Sequence, residues 1–93
     1  MPVGLLTLEI QLPYAHSLKE KRAVVQKLLG RLRSRFNVAV AEMDHQEAWQ
    51  RATISVVSVS SSQPVLESSL RKTLEEAEKI LGQDVASYAL DFF

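Results

Sequence analysis

Over residues 5–12 apolar and polar side chains alternate: Leu6, Leu8, Ile10 and Leu12 fall to one side, with Thr7, Glu9 and Gln11 between them. A period of two predicts a half-buried strand, and Pro13 ends it. Ser17-Leu18-Lys19-Glu20 comes next as a capping box. In that motif the serine oxygen takes the amide three residues on, while the glutamate reaches back to the serine amide, so a helix is expected to start here. At about 100° per residue, Leu18, Val25, Leu28, Leu29, Leu32 and Phe36 share one face of this helix, and Lys19, Arg22, Gln26 and Arg33 lie along a flank.

Asn37 breaks the helix, and Val38 to Met43 predict a second strand in which Val38 and Val40 face away from Ala39, Ala41 and Met43. The polar stretch from Asp44 to Gln50 leads into a third strand from about Arg51 to Ser60. Ala52, Ile54 and Val56 alternate there, but Val57 and Val59 shift the apolar phase by one. Either a bulge or a central strand apolar on both faces gives that pattern. Ser60-Ser61-Ser62-Gln63-Pro64 is a loop and helix start, since serine caps well and proline is tolerated in the first turn. A second helix then buries Leu66, Leu70, Thr73, Leu74, Ala77 and Leu81, carries an expected Glu75–Lys79 pair outside, and stops at Gly82. Val85 to Phe93 closes the chain as a short strand with Tyr88, Leu90 and Phe92 on one side.

The order β-α-β-β-α-β predicts an α+β, ferredoxin-like fold, a four-stranded antiparallel sheet with both helices on one face. The uncovered face would present Val3, Leu5, Thr7, Ala39, Ala41 and Met43, with Val57 or Val59. So much apolar surface points to a homodimer or another protein partner.

The 93-residue length fits a single domain spanning residues 1–93. No apolar run is long enough to cross a bilayer and the Met-Pro-Val-Gly start lacks the basic and apolar regions of a signal peptide, so a soluble, cytoplasmic protein with no membrane contact is expected. With no cysteine, thiol nucleophiles, disulfides and thiolate metal sites are excluded, and two histidines leave little for an imidazole-rich metal centre. Net charge is zero, yet segment 15–40 holds seven Lys and Arg against Glu20 alone, a local +6 balanced by −6 elsewhere. The first helix is therefore the basic element of a neutral chain.

Three clusters are chemically suggestive. His16 to Arg22 sits at a helix N-terminus, where amides and the dipole favour anions, although the capping box already uses two of those amides. Lys27, Arg31, Arg33 and Arg35 extend the basic row, the footprint of a phosphate-backbone contact or, in the bland reading, a solvated helix face. Glu42, Asp44, His45 and Glu47 match no dedicated metal spacing and read as an acidic, solvated hairpin, so neither metal nor cofactor is expected. No nucleophile motif is present, and no enzyme activity is expected. Trp49, the only tryptophan, is expected to pack over the hairpin, with a partner contact as the alternative.

The blocks His16-Ser17-Leu18-Lys19-Glu20-Lys21-Arg22, Arg35-Phe36-Asn37-Val38, Ala41-Glu42 with Asp44-His45, and Trp49-Gln50-Arg51-Ala52 resemble the YlxP-like family of small bacterial proteins of unknown function. The resemblance spans nearly the whole chain. It implies a ferredoxin-like fold and a bacterial gene often near those for translation initiation and ribosome maturation, and it brings no catalytic residue with it. Taken with the basic helix, the expectation is a non-catalytic domain that contacts ribosomal RNA or the ribosome. Its candidate contacts are His16, Ser17, Lys19, Arg22, Lys27, Arg31, Arg33 and Arg35. A homodimeric or hetero-partner module using the open sheet face is the alternative.

Overall fold

The computed structural model describes residues 2–44 and 47–93. Its elements are β1 (Val3–Gln11), α1 (Leu18–Arg35), β2 (Ala39–Asp44), β3 (Arg51–Val59), α2 (Gln63–Leu81) and β4 (Val85–Phe92), with a single 3₁₀ turn at Gly82–Asp84 before β4. The strands form one sheet in the order β2-β3-β1-β4, and every neighbouring pair is antiparallel. β1 and β2 therefore run parallel on either side of β3, which requires the α1 crossover, and β3 and β4 flank β1 in the same way through α2. This is the ferredoxin-like arrangement that the element order predicts.

Leu6, Leu8 and Ile10 of β1 and Ala52, Ile54 and Val56 of β3 are buried on the helix side. They pack with Val25, Leu28, Leu29 and Leu32 of α1 and with Leu66, Leu70, Leu74 and Ala77 of α2. The phase change in β3 resolves as a central strand apolar on both faces, because its pairing with β1 runs unbroken from Val3–Val59 to Gln11–Arg51. Val57 and Val59 thus stand on the open face beside Leu5 and Val3. The irregularities fall at the sheet margins instead, between Glu42 and Asp44 on β2 and between Glu9 and Ile10 where β1 meets β4. A bulge on an edge strand kinks the exposed ladder and discourages pairing with another chain.

Several strand boundaries, one ion pair and the burial of one side chain differ from the periodic reading. β1 begins at Val3 rather than Leu5, β2 runs from Ala39 to Asp44, and β3 ends at Val59. The i,i+4 pair that forms on α2 is Glu67–Arg71, at 3.2 Å, and not Glu75–Lys79. On β4, Tyr88 lies about half exposed although it shares the helix side with Leu90 and Phe92, since β4 is an edge strand at the margin of the helical layer. Gly82 ends α2 with φ 58° and ψ −130°, a region that only glycine enters without strain.

Candidate nucleic-acid interface

Ser17 has extended backbone and caps α1, its Oγ accepting the Glu20 amide at 3.1 Å. The Glu20 carboxylate reaches back one residue further than the capping-box expectation and accepts the His16 amide at 2.7 Å. The N-terminal turn is thus closed by side chains of this chain, and Glu20, the sole acid of the basic segment, is committed to that closure. Ser17→Ala is expected to lower stability by about 1 kcal/mol, as cap deletions do, whereas Lys19→Ala and Arg22→Ala change it by less than about 0.5 kcal/mol. Urea denaturation of the three variants checks the separation.

The loops that enter α1 and leave β2 and α2 meet at one end of the sheet. The Leu12 amide donates to the Gln50 carbonyl at 2.9 Å, and Gln50 Nε2 donates to the carbonyls of Pro13 and Ala15 at 3.1 and 3.2 Å. Tyr14 donates its hydroxyl to Asp84 at 3.0 Å, and partial burial together with this carboxylate holds the phenol above its ordinary pKa. Gln50, rather than Trp49, closes over the β1–α1 loop. Trp49 is 52% exposed and lines a shallow depression with Glu47, Ala48 and Arg51, so the expected packing over the hairpin is not realised. His45 lies outside the described residues. Among the described residues, no group of three or more acidic or histidine side chains converges as a metal site would require.

Beneath this end lies a pair that the periodic reading did not single out. Lys21 is fully buried, and its Nζ meets Glu42 Oε2 of β2 at 2.8 Å. Glu42 sits opposite Ile54 on the helix side of the sheet, next in phase to Val40, which sits opposite Val56. Lys21 lies one turn from Leu18 and Val25 on the inward face of α1. Lys19 and Arg22, by contrast, are exposed.

The remaining cations of α1 divide between two flanks. Lys19, Arg22 and Arg33 follow one flank and Lys27 stands on the other, all four exposed and, among the described residues, without an ion pair. Arg31 and Arg35 turn toward α2. Arg31 Nε donates to Glu76 Oε2 at 3.1 Å, and Arg35 Nη1 lies 3.5 Å from the same oxygen. Glu76 is nearly buried, whereas the two arginine side chains remain 55% and 53% exposed. The carboxylate therefore fixes the two guanidinium groups at the surface without hiding them.

A family model described as "Protein of unknown function (DUF503)" matches residues 3–89. The chain belongs to this family. The uncharacterized protein YlxP of Bacillus subtilis (strain 168) is 39% identical to it over 72 residues, 77% of this chain and 78% of the relative. Of the residues that carry the resemblance, His16 to Arg22, Ala41-Glu42 and Trp49 to Ala52 lie at the Lys21–Glu42 end of this DUF503 chain, and Arg35-Phe36-Asn37-Val38 lies at the other. Among solved structures, a dimeric ferredoxin-like protein of unknown function from Thermobifida fusca aligns with a TM-score of 0.55 at 13% identity, over 100% of this chain and 90% of that one. The de novo designed protein Foldit4 aligns with a TM-score of 0.56 at 12% identity, over 99% and 94%. These two likenesses show the fold. No helix among the described residues is long and apolar enough to cross a membrane.

Proposed function

We propose that the chain is a non-enzymatic binding domain that contacts structured RNA, ribosomal RNA above all, through the outward surface of α1. The observation that carries this reading is the state of the cations: Lys19, Arg22, Lys27 and Arg33 are exposed and free of ion pairs among the described residues, while Glu20 is spent on the His16 amide. Uncompensated positive charge along one rigid element is the footprint of a phosphate-backbone contact rather than of base-edge readout. Base stacking on the sheet is disfavoured, because the open faces of the central strands carry Val3, Leu5, Thr7 and Glu9 beside Val59, Val57, Ser55 and Thr53, with no aromatic ring.

Fluorescence anisotropy with a labelled ribosomal RNA fragment tests the reading. Binding is expected to weaken steeply with salt, and Lys19→Ala and Arg22→Ala each reduce the salt slope by about one while the fold persists. Absence of salt-sensitive binding at micromolar protein sinks it.

A second reading concerns the other side of the sheet. Val59 and Met43 are 52% and 61% exposed, and Val57, Ala39 and Ala41 are exposed near the half-buried Leu5 and Val3. This surface suits a second copy of the chain, since two-fold pairing is the commonest use of such a patch. Trp49 is an additional candidate for a partner contact. Sedimentation equilibrium across a wide concentration range distinguishes a dimer from a strict monomer, and both readings hold together because they use opposite faces.

A further inference from the structure

We infer that a groove between α1 and the C-terminal half of α2 is a phosphate-binding site for an RNA backbone, with Lys27, Arg31 and Lys79 as its cations. This inference rests on the RNA reading above and locates one of its contacts, adding a residue from the second helix. The groove encloses about 670 Å³ and is lined by Lys27, Gly30, Arg31, Ser34, Lys79 and Ile80.

Three observations converge on it. First, Lys79 makes no ion pair among the described residues, although Glu75 lies one turn before it on the same helix. It lines the groove instead, facing Lys27 and Arg31 across the two helices. Second, Arg31 is held by its Nε on the carboxylate of Glu76, itself nearly buried and not part of the groove lining. Anchoring one donor of the guanidinium fixes its plane and leaves its terminal N–H groups for a second acceptor, so less side-chain entropy is lost when an anion arrives. Third, Gly30 lines the groove with open space above it: a Cβ built there meets nothing within 4 Å, so a larger side chain at this position extends into that space. The Ser34 hydroxyl, which donates to the Arg31 carbonyl at 3.0 Å, adds a neutral polar group to the wall. Positive charge from two elements around an unfilled concavity suits a doubly coordinated phosphodiester oxygen pair better than it suits a carboxylate side chain, because the tetrahedral group accepts from several directions.

Two variants of the full chain test the site by different chemistry. Lys79→Ala removes a charge outside α1, and Gly30→Leu fills the groove while leaving every cation in place. Gly30 is exposed on a helix with open space around it, so leucine there is compatible with the fold. With the labelled ribosomal RNA fragment, each variant is expected to lower the salt slope by about one, so that a fourfold rise in salt costs it about fourfold less affinity than it costs the wild type. Lys72→Ala, on α2 outside the groove, is expected to retain the wild-type slope. If both groove variants keep the wild-type slope while Lys19→Ala and Arg22→Ala lose theirs, RNA runs along the other flank of α1 and the groove assignment falls, with the RNA reading intact. If the wild type binds no RNA, both fall together. Displacement of the RNA by millimolar inorganic phosphate at constant ionic strength overturns the assignment to a nucleic-acid chain, since it marks a site for the free ion.

Discussion

Replacing Lys21 by alanine is expected to lower the stability of this protein by about 3 kcal/mol, at the lower end of the cost of removing one partner from a buried ion pair. Lys21 is 0% exposed and its ammonium lies 2.8 Å from Glu42, whose side chain is 16% exposed. Alanine takes the ammonium away from the Glu42 carboxylate under α1, and it also empties the volume of the four-carbon stem. Residual solvent access at Glu42 keeps the loss below that of a fully enclosed pair. Lys21→Met restores the stem but not the charge and is expected to recover only part of the loss. The double variant Lys21→Met, Glu42→Leu removes both charges at similar volume and is expected to recover more of the loss than Lys21→Met alone, because neither charge is then desolvated. Urea denaturation of the wild type and the three variants measures these differences, and a Lys21→Ala loss below about 1 kcal/mol contradicts a stabilising Lys21–Glu42 pair.

Gly4→Val is expected to cost about as much, roughly 3 kcal/mol, by overpacking. Gly4 lies on β1 against α2, and a Cβ placed on it comes within 2.5 Å of Leu70 Cδ1 and 3.2 Å of Leu66 Cγ. Both leucines are buried, so neither has an empty direction in which to retreat, and α2 must lift from the sheet. Alanine at the same position meets the same Leu70 methyl with less bulk and is expected to cost about 1 to 2 kcal/mol. Gly30→Ala provides the opposite sign, a gain of up to about 1 kcal/mol, because it gives an exposed helix position a better helix former without any clash. Thermal melts resolve these differences, since each kcal/mol moves the midpoint by about 4–8 °C in a chain of this size.

The fold was legible because strand and helix periods are strong here: the alternation in β1 and β3 and most of the inward stripe on each helix match the observed core, while Leu18, Phe36 and Leu81 are only half-buried. The caps were legible too, since Ser17, Ser62 and Gly82 occupy positions whose backbone chemistry admits few other residues. Partnerships across elements stayed hidden. Lys21 falls on the apolar phase of α1 and Glu42 on the apolar phase of β2 with Val38 and Val40; a charge of each sign at inward positions was the available signal for the pair. Glu76 likewise lies on the flank of α2 that faces Arg31 and Arg35, yet only the packed helices show that one carboxylate serves both. Charge counting along the chain treated seven cations alike, whereas folding assigns Lys21 to the interior, Arg31 and Arg35 to an anchored pair, and the rest to solvent. Trp49 shows the limit of arguing from residue type: its bulk favours burial, but the loop hydrogen bonds made by Gln50 decide which side chain closes the end of the sheet.

Contact of RNA with the outer surface of α1 is tested most directly by amide chemical-shift mapping during titration with an unlabelled ribosomal RNA hairpin. Perturbations are expected at Lys19, Arg22, Lys27, Arg31 and Arg33 and at Lys79 across the groove, shrinking together as salt rises. Perturbations confined to Val3, Leu5, Ala41, Val57 and Val59 on the open face of the sheet, or no perturbation at low salt, contradict it.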